Sequence, residues 1–151
     1  MRIKNRTAIP TRVPSNRPLK VLVVDDQGPV GEIISRVASQ SGWKAYHSTS
    51  VDRLDERITH DGVDVLMLDY AIDGNPWSPH NGISVLRDLR AKGLNLPAIL
   101  FSGWTNRIDP REAQELGVIT VLEKPLCVQD LRRSLENAAR VLPPAAASQS
   151  A

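Results

Sequence analysis

The chain has 151 residues, 41% of them apolar, enough for a single domain with a layered core. No apolar run approaches a membrane span and the N-terminus lacks the apolar stretch of a secretory signal, so a cytoplasmic protein without a membrane span is expected. The formal charge of +2 hides an asymmetry: six of the 19 Lys and Arg fall in residues 1–20 without an acid, and the other 13 face all 17 acids. Residues 1–18, interrupted by Pro10, Pro14 and Pro18, read as a flexible basic arm, and residues 143–151 as a disordered tail, leaving residues 19–142 as the folded domain. A basic arm could touch nucleic acid or an anionic membrane; the plainer reading is a solvated leader. One cysteine, Cys127, excludes an internal disulfide and suits a reducing compartment; a buried or half-buried packing role is expected for it.

From Lys20 onward, short apolar runs alternate with segments of helical period. Lys20–Val24 reads as the first strand. A helix follows from about Pro29 to Gln40, with Val30, Ile33, Ile34 and Val37 at spacings of three and four, and Gly42 closing it. Trp43–His47 is a weak second strand and Val51–Thr59 a short helix. Val63–Leu68 is the third strand. After a long connection comes a helix over Gly82–Ala91, with Ile83, Val85, Leu86 and Leu89 inward. Ala98–Phe101 is the fourth strand, Pro110–Leu116 a helix with proline at its first position, and about Thr120–Leu122 the fifth strand. The last helix spans Val128–Val141, with Leu131, Leu135, Ala138 and Leu142 on one stripe. Alternating strands and helices imply right-handed crossovers and a doubly wound α/β sheet, five-stranded and parallel, with helices on both faces.

Polar residues stand at the ends of four of these apolar runs: Asp25-Asp26, Asp69, Ser102 and Lys124-Pro125. In an open parallel sheet, ligands bind beyond the carboxyl ends of the strands, so these side chains should converge on one pocket. The succession VLVVDDQ, VDVLMLDY, AILFSG and VLEKPL resembles the receiver domain of two-component response regulators over residues 20 to 142. The resemblance implies a flavodoxin-like fold with strand order 2-1-3-4-5. It implies that Asp69 accepts a phosphoryl group from a histidine kinase, a hybrid kinase or a phosphotransfer protein. It further implies that Asp26, Asp69 and the backbone carbonyl of Ala71 hold Mg²⁺, with Asp25 acting partly through water. Lys124 and Ser102 would contact the phosphoryl group, and the bond to Pro125 is typically cis in such domains.

The chemistry is consistent with those residue types. A carboxylate can act as nucleophile toward phosphorus, and phosphoryl transfer depends mainly on positioning and charge neutralisation. Two carboxylates ~4 Å apart repel by roughly 4 kcal/mol at an effective dielectric of 20. Mg²⁺ answers this, because it takes oxygen ligands and keeps several waters. Against this stand plainer roles: Asp25 and Asp26 as helix caps, Asp69 as a turn residue, Lys124 as a surface charge, and Ser102 as loop punctuation.

The sequence also departs from the receiver pattern. The connection Tyr70–His80 is several residues longer than usual and carries Asp73, Trp77 and His80; it reads either as a partner-contact loop or as an insertion folded onto the body. The position three before Lys124, where receivers often carry Tyr or Phe, is Val121, which puts the usual aromatic switch in doubt. The site is flanked by Gly103, which leaves it open beside Ser102, and by a large apolar Trp104, which is expected to shield an acyl phosphate from water where it folds over the pocket. The residues of the usual receiver contact face include Arg107, Arg111, Glu115, Arg132 and Arg133. The chain has no room after Leu142 for a DNA-binding output domain, so a stand-alone receiver acting on an unknown downstream protein is expected. The alternatives are a receiver-like interaction module indifferent to phosphorylation, and a phosphohydrolase. Ala71 stands where such hydrolases carry a second acid, which argues against turnover.

Overall fold

A computed structural model describes residues 18–142. Apart from Pro18, the expected arm (1–18) and tail (143–151) lie outside the described residues. Five strands, β1 (Lys20–Val24), β2 (Lys44–Ser48), β3 (Val65–Asp69), β4 (Ala98–Ser102) and β5 (Val118–Glu123), alternate with five helices. These are α1 (Gly28–Gln40), α2 (Leu54–Asp61), α3 (Gly82–Ala91), α4 (Pro110–Glu115) and α5 (Val128–Val141), with a 3₁₀ turn at Thr105–Arg107. The strands are parallel, in the order β2-β1-β3-β4-β5. The order reverses beside β1, which places a crevice at the carboxyl ends of β1 and β3.

Side chains that alternate along each strand separate two cores. Val21, Val23, Val65, Met67, Ile99 and Phe101 pack with Ile34, Val37 and Ala38 of α1 and Leu131, Leu135 and Ala138 of α5. Leu22, Val24, Leu66, Leu68, Ala98 and Leu100 face the opposite way, onto Leu54 and Ile58 of α2, Ile83, Val85, Leu86 and Leu89 of α3, and Ala113 of α4. β1, β3 and β4 are covered on both faces, which is why they read as unbroken apolar runs. Each fully buried Val, Leu or Ile contributes about 1.5–3 kcal/mol, so these layers hold the strand ends rigidly in register.

Several boundaries differ from the expectation for local reasons. α2 starts at Leu54 rather than Val51, because Ser48 and Ser50 bind the backbone of residues 50 and 52 and Arg53 adopts a left-handed φ of 56°. β5 begins two residues early, at Val118, through an irregularity in its pairing opposite Ala98 and Ile99. Ile33 is 43% exposed, and Gly31 with Ala38 completes the buried face of α1 instead. Cys127 is exposed rather than packed, because its extended backbone sits at the N-cap of α5, outside both cores.

Asn81 caps α3 through a capping box with Ser84, accepting from the N–H groups of Ile83 and Ser84 at 2.9 and 3.0 Å. Gly82 then passes so close to β3 that a Cβ there would lie 3.0 Å from the Asp69 carbonyl oxygen and 3.2 Å from the Tyr70 Cα. Gly82→Ala is expected to destabilise the fold by about 1–3 kcal/mol through this overpacking. Gly28→Ala, where a Cβ meets nothing within 4 Å, is expected to be neutral or slightly stabilising. Urea midpoints at constant m-value measure both.

Candidate functional site

The strand ends bring the expected residues together. Asp25 follows β1, Asp69 ends β3, Ser102 ends β4, and Lys124 follows β5. Asp25 and Ser102 are fully buried, Asp69 nearly so, and Asp26 is exposed. One carboxylate oxygen from each of Asp25, Asp26 and Asp69 lies within 4.8 Å of the others. Lys124 Nζ donates to Asp69 Oδ2 at 3.3 Å and stands 3.8 Å from Asp25 Oδ2. The Lys124–Pro125 peptide is cis, and Lys124 N–H donates to the Ser102 carbonyl at 2.9 Å, fixing the end of β5 to the end of β4.

The electrostatics follow from burial. Desolvation raises Asp69 to about 6; Lys124 pulls against this and the Asp25 carboxylate adds to it. Asp25 is also raised, by desolvation, against the Gln27 N–H that its Oδ1 accepts at 2.7 Å. Its other oxygen, Oδ2, is buried and accepts no hydrogen bond. A buried carboxylate oxygen without a donor is costly, and a cation beside it removes that cost. Three converging carboxylates, one with a buried oxygen that accepts no hydrogen bond, therefore fit a hard divalent ion such as Mg²⁺. The Ala71 carbonyl accepts from Gly74 N–H at 2.9 Å and keeps a second lone pair for a ligand. Asp25 does not cap α1, whose N-cap position is Gln27.

The family model described as "Response regulator receiver domain" matches residues 21–136. The chain belongs to this family. The receiver is similar to sporulation initiation phosphotransferase F of Bacillus subtilis, with 23% identity over 117 residues, 78% of this chain and 90% of that one. Among solved structures, it resembles the receiver domain of NtrX from Brucella abortus, with a TM-score of 0.68 and 22% identity over 80% of this chain and 98% of that one. It also resembles the receiver domain of the Francisella response regulator 1452, with a TM-score of 0.67 and 24% identity over 80% and 96% of the two chains. The five-stranded order and the helices on both faces agree with these folds.

Two departures from the receiver pattern acquire a geometry. The long connection after Asp69 is a set of side-chain-stapled turns: Asp73 Oδ1 accepts from Asn75 N–H at 3.0 Å, and Asn75 Oδ1 from Trp77 N–H at 2.9 Å. Within it, Trp77 is 71% exposed and its ring lies 3.8 Å from the Arg107 guanidinium. Arg107 Nε also donates to the Pro76 carbonyl at 3.0 Å. Val121 on β5 is half-exposed, and Trp104 is 43% exposed, with its backbone N–H donating to Ser102 Oγ at 2.7 Å.

Two residues support the site through contacts that no local pattern encodes. His47 on β2 donates from Nε2 to the Asp25 carbonyl at 3.1 Å and occupies the space left by Gly31, where a Cβ would lie 2.4 Å from its ring. Arg107 is readable as part of the usual contact face or as a solvated charge, but its partners lie some 30 residues upstream, beyond any local pattern.

The Asp69 shift makes the metal-free receiver's stability depend on pH. A carboxyl whose folded pKa is raised adds stability that is fully present below its ordinary 3.8 and is lost as pH rises through about 6. Asp69→Asn, which cannot ionise, is therefore expected to be more stable than the wild type at pH 7.5, on the order of 2–3 kcal/mol. The gap is expected to close by about pH 4, as urea midpoints of the two metal-free proteins across that range report.

Proposed function

We propose that the receiver accepts a phosphoryl group on Asp69 from a histidine kinase, a hybrid kinase or a phosphotransfer protein, and signals through protein–protein contacts. The observation that carries this reading is the nearly buried Asp69 carboxylate, paired with Lys124 at 3.3 Å and grouped with Asp25 and Asp26 within 4.8 Å. Asp69 is the nucleophile. Its carboxylate oxygen bonds to phosphorus while the P–N bond of a donor phosphohistidine, or the P–O bond of acetyl phosphate, breaks in line. The leaving group keeps the electron pair, and a departing imidazole regains its proton from solvent.

Asp26, Asp69 and the Ala71 carbonyl, with Asp25 acting partly through water, would hold Mg²⁺. Bound there, the ion supplies the positive charge that two crowded carboxylates and an incoming phosphoryl group require. Lys124 turns from the Asp69 carboxylate to a phosphoryl oxygen, keeping its charge in the pocket throughout. Ser102 donates its hydroxyl proton to a second phosphoryl oxygen. Ala71 offers no acid or base to drive turnover, so the chemistry is self-catalysed phosphoryl acceptance followed by slow loss to water rather than steady hydrolysis. The relative named as a phosphotransferase is consistent with a place in a phosphorelay.

A second reading, a contact module indifferent to phosphorylation, is favoured by Val121 at the aromatic position and by the exposure of Trp77. Intact-mass measurement with acetyl phosphate and Mg²⁺ separates the two. The wild type is expected to gain about 80 Da, one phosphoryl group, and Asp69→Asn none while its fold is retained. Equal labelling of the variant would contradict Asp69 as the acceptor, and no labelling of the wild type would favour the contact module.

A further inference from the structure

A continuous set of hydrogen bonds and one ring contact runs from the pocket to the surface and back. At one end, Ser102 Oγ accepts from Trp104 N–H at 2.7 Å. Trp104 opens the 3₁₀ turn, its carbonyl accepting from Arg107 N–H at 3.0 Å. The Arg107 side chain then crosses to the Pro76 carbonyl at 3.0 Å and the Trp77 ring at 3.8 Å. From there the turns stapled by Asn75 and Asp73, and the Gly74 N–H bond to the Ala71 carbonyl, lead back toward Asp69. Ala71 N–H itself donates to Asp69 Oδ1 at 3.3 Å. Both ends are pocket atoms, the hydroxyl of Ser102 and the carboxylate of Asp69, and the exposed midpoint is the Arg107–Trp77 stack.

We propose that this stack is the receiver's phosphorylation reporter, replacing the aromatic that Val121 lacks, a proposal that rests on Asp69 being the phosphoacceptor. In the unphosphorylated receiver Ser102 Oγ acts only as an acceptor among the described hydrogen bonds, and its buried O–H has a proton to donate. A phosphoryl oxygen on Asp69 is the acceptor that proton lacks. Drawing Ser102 Oγ toward it pulls on the Trp104 N–H that the same oxygen accepts, and the turn that begins at Trp104 moves with it. At the other end, the Asp69 oxygen held by Ala71 N–H changes from carboxylate to acyl phosphate and becomes a weaker acceptor. Arg107 bridges the two segments through one hydrogen bond and one ring contact, both at the surface. It is therefore the contact that gives way when they shift, while Ile108, buried just after it, stays anchored. Two discrete arrangements of one contact, biased by one chemical event in the pocket, are what a switch requires.

The test follows Trp77 alone, as the fluorescence difference between the full chain and its Trp77→Phe variant, before and after acetyl phosphate with Mg²⁺, with intact mass read on the same samples. In the wild type, phosphorylation is expected to open the stack and raise quenching of Trp77 by neutral acrylamide by roughly a third, close to the limit that a ring already 71% exposed allows. Arg107→Ala, an exposed position, is expected to fold, to take the same mass adduct, and to show high quenching both before and after phosphorylation. An adduct in the wild type with no change at Trp77 overturns the proposal alone, as does a full wild-type response in Arg107→Ala. Absence of the adduct in the wild type overturns the phosphoacceptor reading, and the proposal with it.

Discussion

Two buried carboxylates, Asp25 and Asp69, face one ammonium, that of Lys124. At separations near 4 Å in a partly screened interior, each such pair is worth about 4 kcal/mol, so one lysine cannot neutralise both acids and Asp26 besides. The raised pKa of Asp69, set first by burial and then by the Asp25 carboxylate, and the donorless Oδ2 of Asp25 both favour an added cation. Much of the surrounding fold serves to keep this arrangement in place. The strands on either side of it are covered on both faces, so their ends have little freedom to move apart. Backbone bonds from Lys124 to Ser102, from Asp25 to Ser48 and from Tyr70 to Phe101 fix those ends to one another.

The strand ends were legible because the physics that makes them is local. A fully covered parallel strand reads as a short apolar run, and a polar residue after such a run has nowhere to go but the rim of the sheet. Asp25, Asp69, Ser102 and Lys124 were therefore readable as one pocket. Where the reading failed, the deciding force was not local. Ile33 satisfies the helical period but lies at the edge of the apolar stripe, with Gly31 taking the buried place because His47 fills the space above it. Cys127 reads as apolar, yet it precedes α5 rather than belonging to its buried face. The early start of β5 depends on a pairing irregularity with β4 that no pattern within β5 encodes.

The long connection after Asp69 and the Arg107–Trp77 stack were the least legible features, although Trp77 and Arg107 were each visible as residues. Their meeting depends on the β3–α3 and β4–α4 connections emerging from neighbouring strands, a consequence of sheet order rather than of either segment's own pattern. The same sheet order explains how a receiver with Val121 at the aromatic position can keep a path from pocket to surface. The loops above β3 and β4 are adjacent, and a single long cationic side chain spans them. The cation–π and hydrogen-bond contacts at this exposed site are individually weak, which suits a contact meant to open and close.

Three acids against one ammonium leave the pocket short of positive charge, a deficit that a divalent ion would make good. A crystal structure grown with saturating Mg²⁺ tests this most directly. The predicted result is one ion among Asp25, Asp26 and Asp69, at roughly 2.0–2.1 Å from its oxygen ligands, with Asp25 Oδ2 engaged directly or through a bound water. A pocket without the ion at saturating Mg²⁺, and with Asp25 Oδ2 still lacking a partner, would contradict it.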